Sequence, residues 1–146
     1  MNLQTERKKS YPVFIAAFMI ISFLAFSCKE DNKSNCTAGT GGIYTIAAFP
    51  KHHDDTIYSQ PGYLDTAYVK FNTHLFPGYS PADYDLVIAG EEGENHVHIK
   101  NLKCGDYFIY MTGWDTSFNG RVTGGIPYSL PESGPTDVDV VVPVSE

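Results

Sequence analysis

The sequence predicts an all-β domain, an antiparallel β-sandwich, behind a short N-terminal leader. Three observations carry that expectation. Beyond residue 42 no segment holds apolar residues at a period of 3.6 for three turns, so no long amphipathic helix is signalled. The chain runs instead in short stretches rich in Tyr, Val, Ile, Phe and Thr, the residues that fit a pleated, half-buried surface. Gly, Pro, Asn and Asp separate these stretches, and each supplies a backbone conformation that turns require.

The first strand is expected over residues 43–52. The second, residues 67–72, alternates with Val69 and Phe71 on one face; residues 84–89 form the third. Residues 95–102 alternate clearly, placing Val97 and Ile99 inward and His96 and His98 outward. Residues 106–114 are the strongest candidate: Tyr107, Ile109 and Met111 share one face, and Phe108, Tyr110 and Thr112 the other. Asn119-Gly120 follows, a dipeptide favoured in type I′ hairpins because both central residues need φ > 0. Gly124-Gly125 ahead of Ile126-Pro127 reads as a turn or bulge. Residues 138–144 close the fold, with Pro143 expected at an edge or strand end because it donates no ladder bond.

Leu102-Lys103-Cys104-Gly105-Asp106-Tyr107 fits L-x-x-G-x-Y, a tight turn with a tyrosine entering the next strand. It resembles the tyrosine corner of Greek-key sandwiches, in which the hydroxyl bonds back to backbone near the turn. With Asn101 before it, the stretch resembles the carboxypeptidase-regulatory or transthyretin-like family, where a strand leads into N-L-x-P-G-x-Y; Cys104 stands at the usual proline. The resemblance covers roughly residues 43–114 and implies an Ig-like or transthyretin-like Greek-key sandwich over residues 43–146. It implies no ligand.

The N-terminus supplies an address. Arg7, Lys8 and Lys9 precede an apolar run, VFIAAFMIISFLAF, that is shorter than the roughly 20 residues a spanning helix needs. It suits the apolar region of a signal peptide. Ala25 and Ser27 are small residues flanking Phe26, just before Cys28. Residues 1–27 therefore resemble a bacterial lipoprotein signal peptide, a cleaved helix after which the Cys28 thiol carries the lipid. Leu24 lies one position earlier than the usual lipobox leucine. The rival readings are cleavage without a lipid and an uncleaved short anchor. Each buried acyl CH₂ contributes about 0.8 kcal/mol, so two or three chains hold firmly. Lys29-Glu30-Asp31 resembles a surface-export signal of some Gram-negative lipoproteins or is a solvated tether. Residues 28–42, polar and Gly-rich, read as a flexible tether. The expected location is the outer membrane, on its periplasmic or cell-surface face.

The chain has a formal net charge of −7. Loss of residues 1–27 removes three of its ten basic and one of its seventeen acidic residues, leaving −9. That excludes nucleic acid as a partner, since such binding needs a basic surface that displaces counterions. With Cys28 lipidated, Cys36 and Cys104 remain as an even pair, either a disulfide or two thiols. No CxxC, G-x-S-x-G, H-E-x-x-H or P-loop occurs. Asp54-Asp55 and Glu91-Glu92 are adjacent carboxylates that would point apart on a strand, unsuited to glycosidase chemistry.

Two functions are expected. The first is a non-enzymatic binding or accessory module for an envelope protein or glycan, using exposed aromatics: Tyr58 and Tyr63 in one loop, Tyr79 in another, and Trp114. The second is a divalent transition-metal site. His96 and His98 share a strand face and supply half a site, and the His52/His53 pair would supply the other half. No other cofactor is expected. The bland alternatives are loop tyrosines covering the core and exposed polar histidines opposite Val97 and Ile99.

Overall fold

The computed structural model describes residues 36–146. The leader, Cys28 and the tether up to residue 35 lie outside the described residues. The fold is two packed sheets. One contains β1 (Thr40–His52), β2 (Asp55–Thr56), β5 (Val97–Leu102) and β8 (Asp137–Pro143); β1 is central, with β8 on one edge and β5, then β2, along the other. The other has the order β4 (Leu86–Ala89), β3 (Thr66–Phe71), β6 (Gly105–Asp115), β7 (Gly120–Leu130).

Most pairs are antiparallel, as expected, but β8 runs parallel to β1, from Thr45↔Asp137 to Lys51↔Pro143. The connection after β7 crosses to the opposite sheet, so no hairpin obliges β8 to reverse against its neighbour. Pro143 ends its strand, where its missing N–H interrupts no further ladder.

The alternation pattern does the burying. Tyr44, Ile46 and Ala48 of β1, Ala67 and Val69 of β3, Val97 and Ile99 of β5, and Ile109 and Met111 of β6 all enter one core. Leu102 joins them because Asn101 takes φ 62 at a register shift, an extra residue that turns the strand's end inward. β6 is buried on both faces. On its outer side Phe108 and Tyr110 pack with Tyr68 and Tyr84 in a second cluster.

Three expectations need correction. Gly124-Gly125 is neither turn nor bulge: both sit mid-strand in β7, opposite Met111 and Tyr110. A Cβ on Gly124 would lie 2.1 Å from the Pro143 carbonyl oxygen, so glycine is what lets the C-terminal segment cross β7. Asn119-Gly120 is not a two-residue loop. Asp115 pairs with Gly120, only Asn119 takes positive φ (56°), and the Asp115 carboxylate accepts bonds from the Ser117 amide and hydroxyl within the turn. The boundary set at residue 43 falls inside β1, which starts at Thr40, and the residues before it pack on the body. Ala38 is buried, its amide bonding the Asn72 side chain, and the Gly39 carbonyl accepts from the Lys103 amide. Local composition reads as linker, but these tertiary bonds satisfy its backbone.

The Tyr107 hydroxyl donates to the Lys103 carbonyl at 2.6 Å and sits 3.2 Å from the Gly39 carbonyl, while the Gly39 amide bonds the hydroxyl in turn. Burial raises its pKa above the usual phenol value, so it stays a donor. A disulfide joins Cys36 to Cys104 beside this corner. Chain entry is thus clamped to the β5–β6 turn covalently and by a buried hydroxyl.

Candidate functional site: the outer aromatic face and two histidine clusters

The outer face of the β4-β3-β6-β7 sheet gathers about half of the aromatics among the described residues. Phe108, Tyr110 and Trp114 project there from alternate positions of β6, a stretch of roughly 20 Å at strand rise. At one end the 75–84 loop folds over the sheet. The Tyr84 hydroxyl donates to the Gly78 carbonyl at 2.7 Å, and Ser80 caps a short 3-10 turn, Pro81–Asp83, through a capping box with Asp83. Phe76 lands with its ring 5.6 Å from Tyr110, and Tyr79 sits over both at 80% exposure. Desolvation, helped by the nearby Tyr110 and Asp83, pushes the Tyr84 hydroxyl pKa up, so it remains neutral and donating.

At the other end Tyr63 stacks on Trp114, ring centroids 4.4 Å apart and planes inclined by 30°. The pair borders a shallow cleft of about 290 Å³ that also receives Thr112, Leu64 and the Arg121 side chain. Tyr63 is 56% exposed. A preformed aromatic stack beside a guanidinium and hydroxyls offers an apolar platform with polar edges. The expected recognition residues therefore separate: Tyr63 and Trp114 form one unit, Tyr79 belongs to the cover over Tyr110, and Tyr58, exposed, enters no aromatic pair among the described residues.

The histidines also separate. His96 and His98 share a face, with Nε2 atoms 3.0 Å apart, and His96 stacks on Phe49 at 5.0 Å. Phe49 lies on the outward alternation of β1. His52 ends the inward alternation and is buried. The four-histidine site expected from the sequence does not form, because its halves lie on opposite faces of one sheet. His96 and His98 instead border a cleft of about 690 Å³ between the free edges of β4 and β5, with Lys100, Glu91 and Glu94 on its rim.

His52 makes contacts the sequence did not signal. Its Nδ1 lies 2.6 Å from the Asp115 carboxylate, from the end of β6. The Ser117 hydroxyl first, and His52 second, hold the Asp115 pKa down at about 2, so it accepts and Nδ1 carries the proton. A second buried acid, Asp65, is fully enclosed, and both its carboxylate oxygens have no hydrogen-bond partner among the described residues. Desolvation raises its pKa to about 6 against the opposing Ser59 hydroxyl. A Cβ on Gly113 would come 2.6 Å from Asp65 Oδ1, which shows how tightly the carboxyl is walled. The sequence carries no signal for Asp65. The Ser80-x-x-Asp83 spacing was a readable sign of the capped turn.

No protein family, curated protein or solved structure matches this chain.

Proposed function

We propose that this protein is an outer-membrane lipoprotein, anchored through Cys28, that acts as a non-enzymatic recognition module. It presents the outer aromatic face to a partner, and a glycan is favoured over a protein. The observation that carries this reading is the Tyr63–Trp114 stack with Arg121 and Thr112 in the same cleft. Sugar rings pair an apolar face with a hydroxylated edge, and an aromatic platform bordered by donors suits both. A net negative chain speaks against anionic polymers as the primary partner. The disulfide fits an oxidising envelope compartment. The Greek-key, transthyretin-like assignment is part of this reading, supported by the Tyr107 bond to Lys103 and the bulged Asn101.

Two experiments test it. Cys28→Ser is expected to move the protein from the membrane to the soluble fraction, and unchanged membrane retention contradicts the anchor. On an array of neutral and charged oligosaccharides, the full chain should retain a set of neutral glycans, and Tyr63→Ala should weaken retention at least tenfold, the loss of about 1.4 kcal/mol or more of stacking. Retention of no glycan, or retention indifferent to Tyr63, contradicts the recognition face.

A further inference from the structure

The end of the sandwich where β1, β6 and the C-terminal segment meet holds a cluster that the recognition reading does not use. His52 is 6% exposed, and its Nε2 has no hydrogen-bond partner among the described residues. The Asp115 carboxylate only accepts, so Nδ1 turns its N–H toward it and Nε2 is the ring nitrogen left to face outward from that pair. A buried polar atom left unpaired is unfavourable unless something meets it. Nε2 faces the Glu146 carboxylate, 3.9 Å away.

His53 completes the group. Consecutive residues on a strand point apart, but here the chain reverses. His52 pairs with Asp55, and His53 and Asp54 form the connection with φ of 50° and 72°. The turn brings the two imidazoles to 4.3 Å between ring centroids. Glu146 is placed by the segment before it: the Val144 amide bonds the Lys51 carbonyl, and Ser145 exchanges two backbone bonds with Thr123 at 2.8 Å each. One donor atom each from His52, His53 and Glu146 lies within 4.8 Å of the others.

We infer that His52 Nε2, His53 and Glu146 form a binding site for a divalent transition metal of the zinc class, with Asp115 as the positioning residue behind His52. Two imidazoles and one carboxylate are a donor set zinc accepts, with a fourth position for water. Metal–nitrogen bonds of about 2.0–2.1 Å call for donors roughly 3.3 Å apart in a tetrahedron. The His52–Glu146 separation needs only a small contraction from 3.9 Å, within reach of a side chain that is 58% exposed. A carboxylate on the far nitrogen of a metal-binding imidazole fixes its tautomer and raises its basicity. Phe118 lies nearby, its ring centroid 6.1 Å from that of His52. Asp115 and Glu146 together balance a dication. This site shares only the His52/His53 pair with the four-histidine arrangement and excludes His96 and His98.

The test is titration of the detergent-solubilised full chain, stripped with chelator, with Zn²⁺ alone at pH 7.5, read by calorimetry and native mass spectrometry. One equivalent is expected to bind. His53→Ala and Glu146→Gln, both at exposed positions where folding is not at stake, should each weaken binding at least tenfold. Asp115→Asn should weaken it roughly 10–100-fold, and His98→Ala should leave it unchanged. Absence of stoichiometric binding overturns the site, as does binding that persists undiminished in His53→Ala and Glu146→Gln or that is lost in His98→Ala.

Discussion

Replacing Cys36 and Cys104 together by serine is expected to lower the unfolding free energy by about 4 kcal/mol. The bond closes a loop with a sequence separation of 68 residues, and the chain-entropy relation for such a loop gives that magnitude. A domain of this size loses on the order of 15 °C in Tm for such a change. The effect should be concentrated at one place. Ala38 and Gly39 reach the body through Asn72, Tyr107 and Lys103, so removing the covalent tie leaves a few hydrogen bonds to hold the entering segment. Thermal melts of the wild-type and double-serine chains, each with and without reductant, check this. Reductant should bring the wild-type Tm down to that of the variant and leave the variant unmoved. A Tm difference below about 3 °C would show that the clamp at Tyr107 suffices without the bond.

Asp65→Asn is expected to act in the other direction, and only once the pH rises above the acidic range. The native carboxyl holds its proton up to a pH of about 6, while in the unfolded chain the group ionises near 3.8. Between those values the native state binds more protons, so stability falls as pH rises and the whole penalty is present above the native pKa. Below about pH 4 both states are protonated and the penalty vanishes. Asparagine has the same shape and never ionises. The variant should therefore be more stable than wild type by on the order of 1–3 kcal/mol at pH 8 and no more stable at pH 4. Urea midpoints at several pH values measure it. A wild-type stability that stays flat between pH 4 and pH 7 would mean that Asp65 finds a partner for its charge.

The strands that follow the alternation of apolar and polar residues were legible because each packs one face on the core. Val97 and Ile99, Tyr107, Ile109 and Met111 lie buried as their spacing predicts. Tyr107 was legible for a different reason: its turn is a local motif whose hydroxyl bond is made within four residues. β7 escaped because the requirement for glycine at position 124 comes from Pro143, a residue distant in sequence. The direction of β8 escaped because a strand's own residues do not encode which way its neighbour runs. The His53-Asp54 turn lacks the Asn or Gly that marks its type, so nothing local signals positive φ there.

The candidate sites divide along the same line. That Trp114 and the loop tyrosines cannot all be inside follows from counting aromatics against a small core, but which two stack is a matter of loop geometry. The histidine pair at the start of β5 was visible through its period of two, and the structure brings those rings together as that spacing requires. The partners of His52 come from the end of β6 and from the segment after β8, and have no sequence pattern linking them to it. Buried, unpaired polar atoms such as His52 Nε2 and the Asp65 oxygens are products of tertiary enclosure, so they are found only by following each polar group to its partner.

The outer face of the β4-β3-β6-β7 sheet is proposed to recognise a saccharide. The chain contains a single tryptophan, and Trp114 lies in the proposed platform, so its emission reports that face alone. Titrating the full chain with a glycan retained on the array should shift and change the intensity of Trp114 emission saturably, and Tyr63→Ala should weaken the apparent affinity at least tenfold. Saturable binding of that glycan with the Trp114 signal unchanged would place recognition elsewhere on the molecule and contradict a role for the outer face.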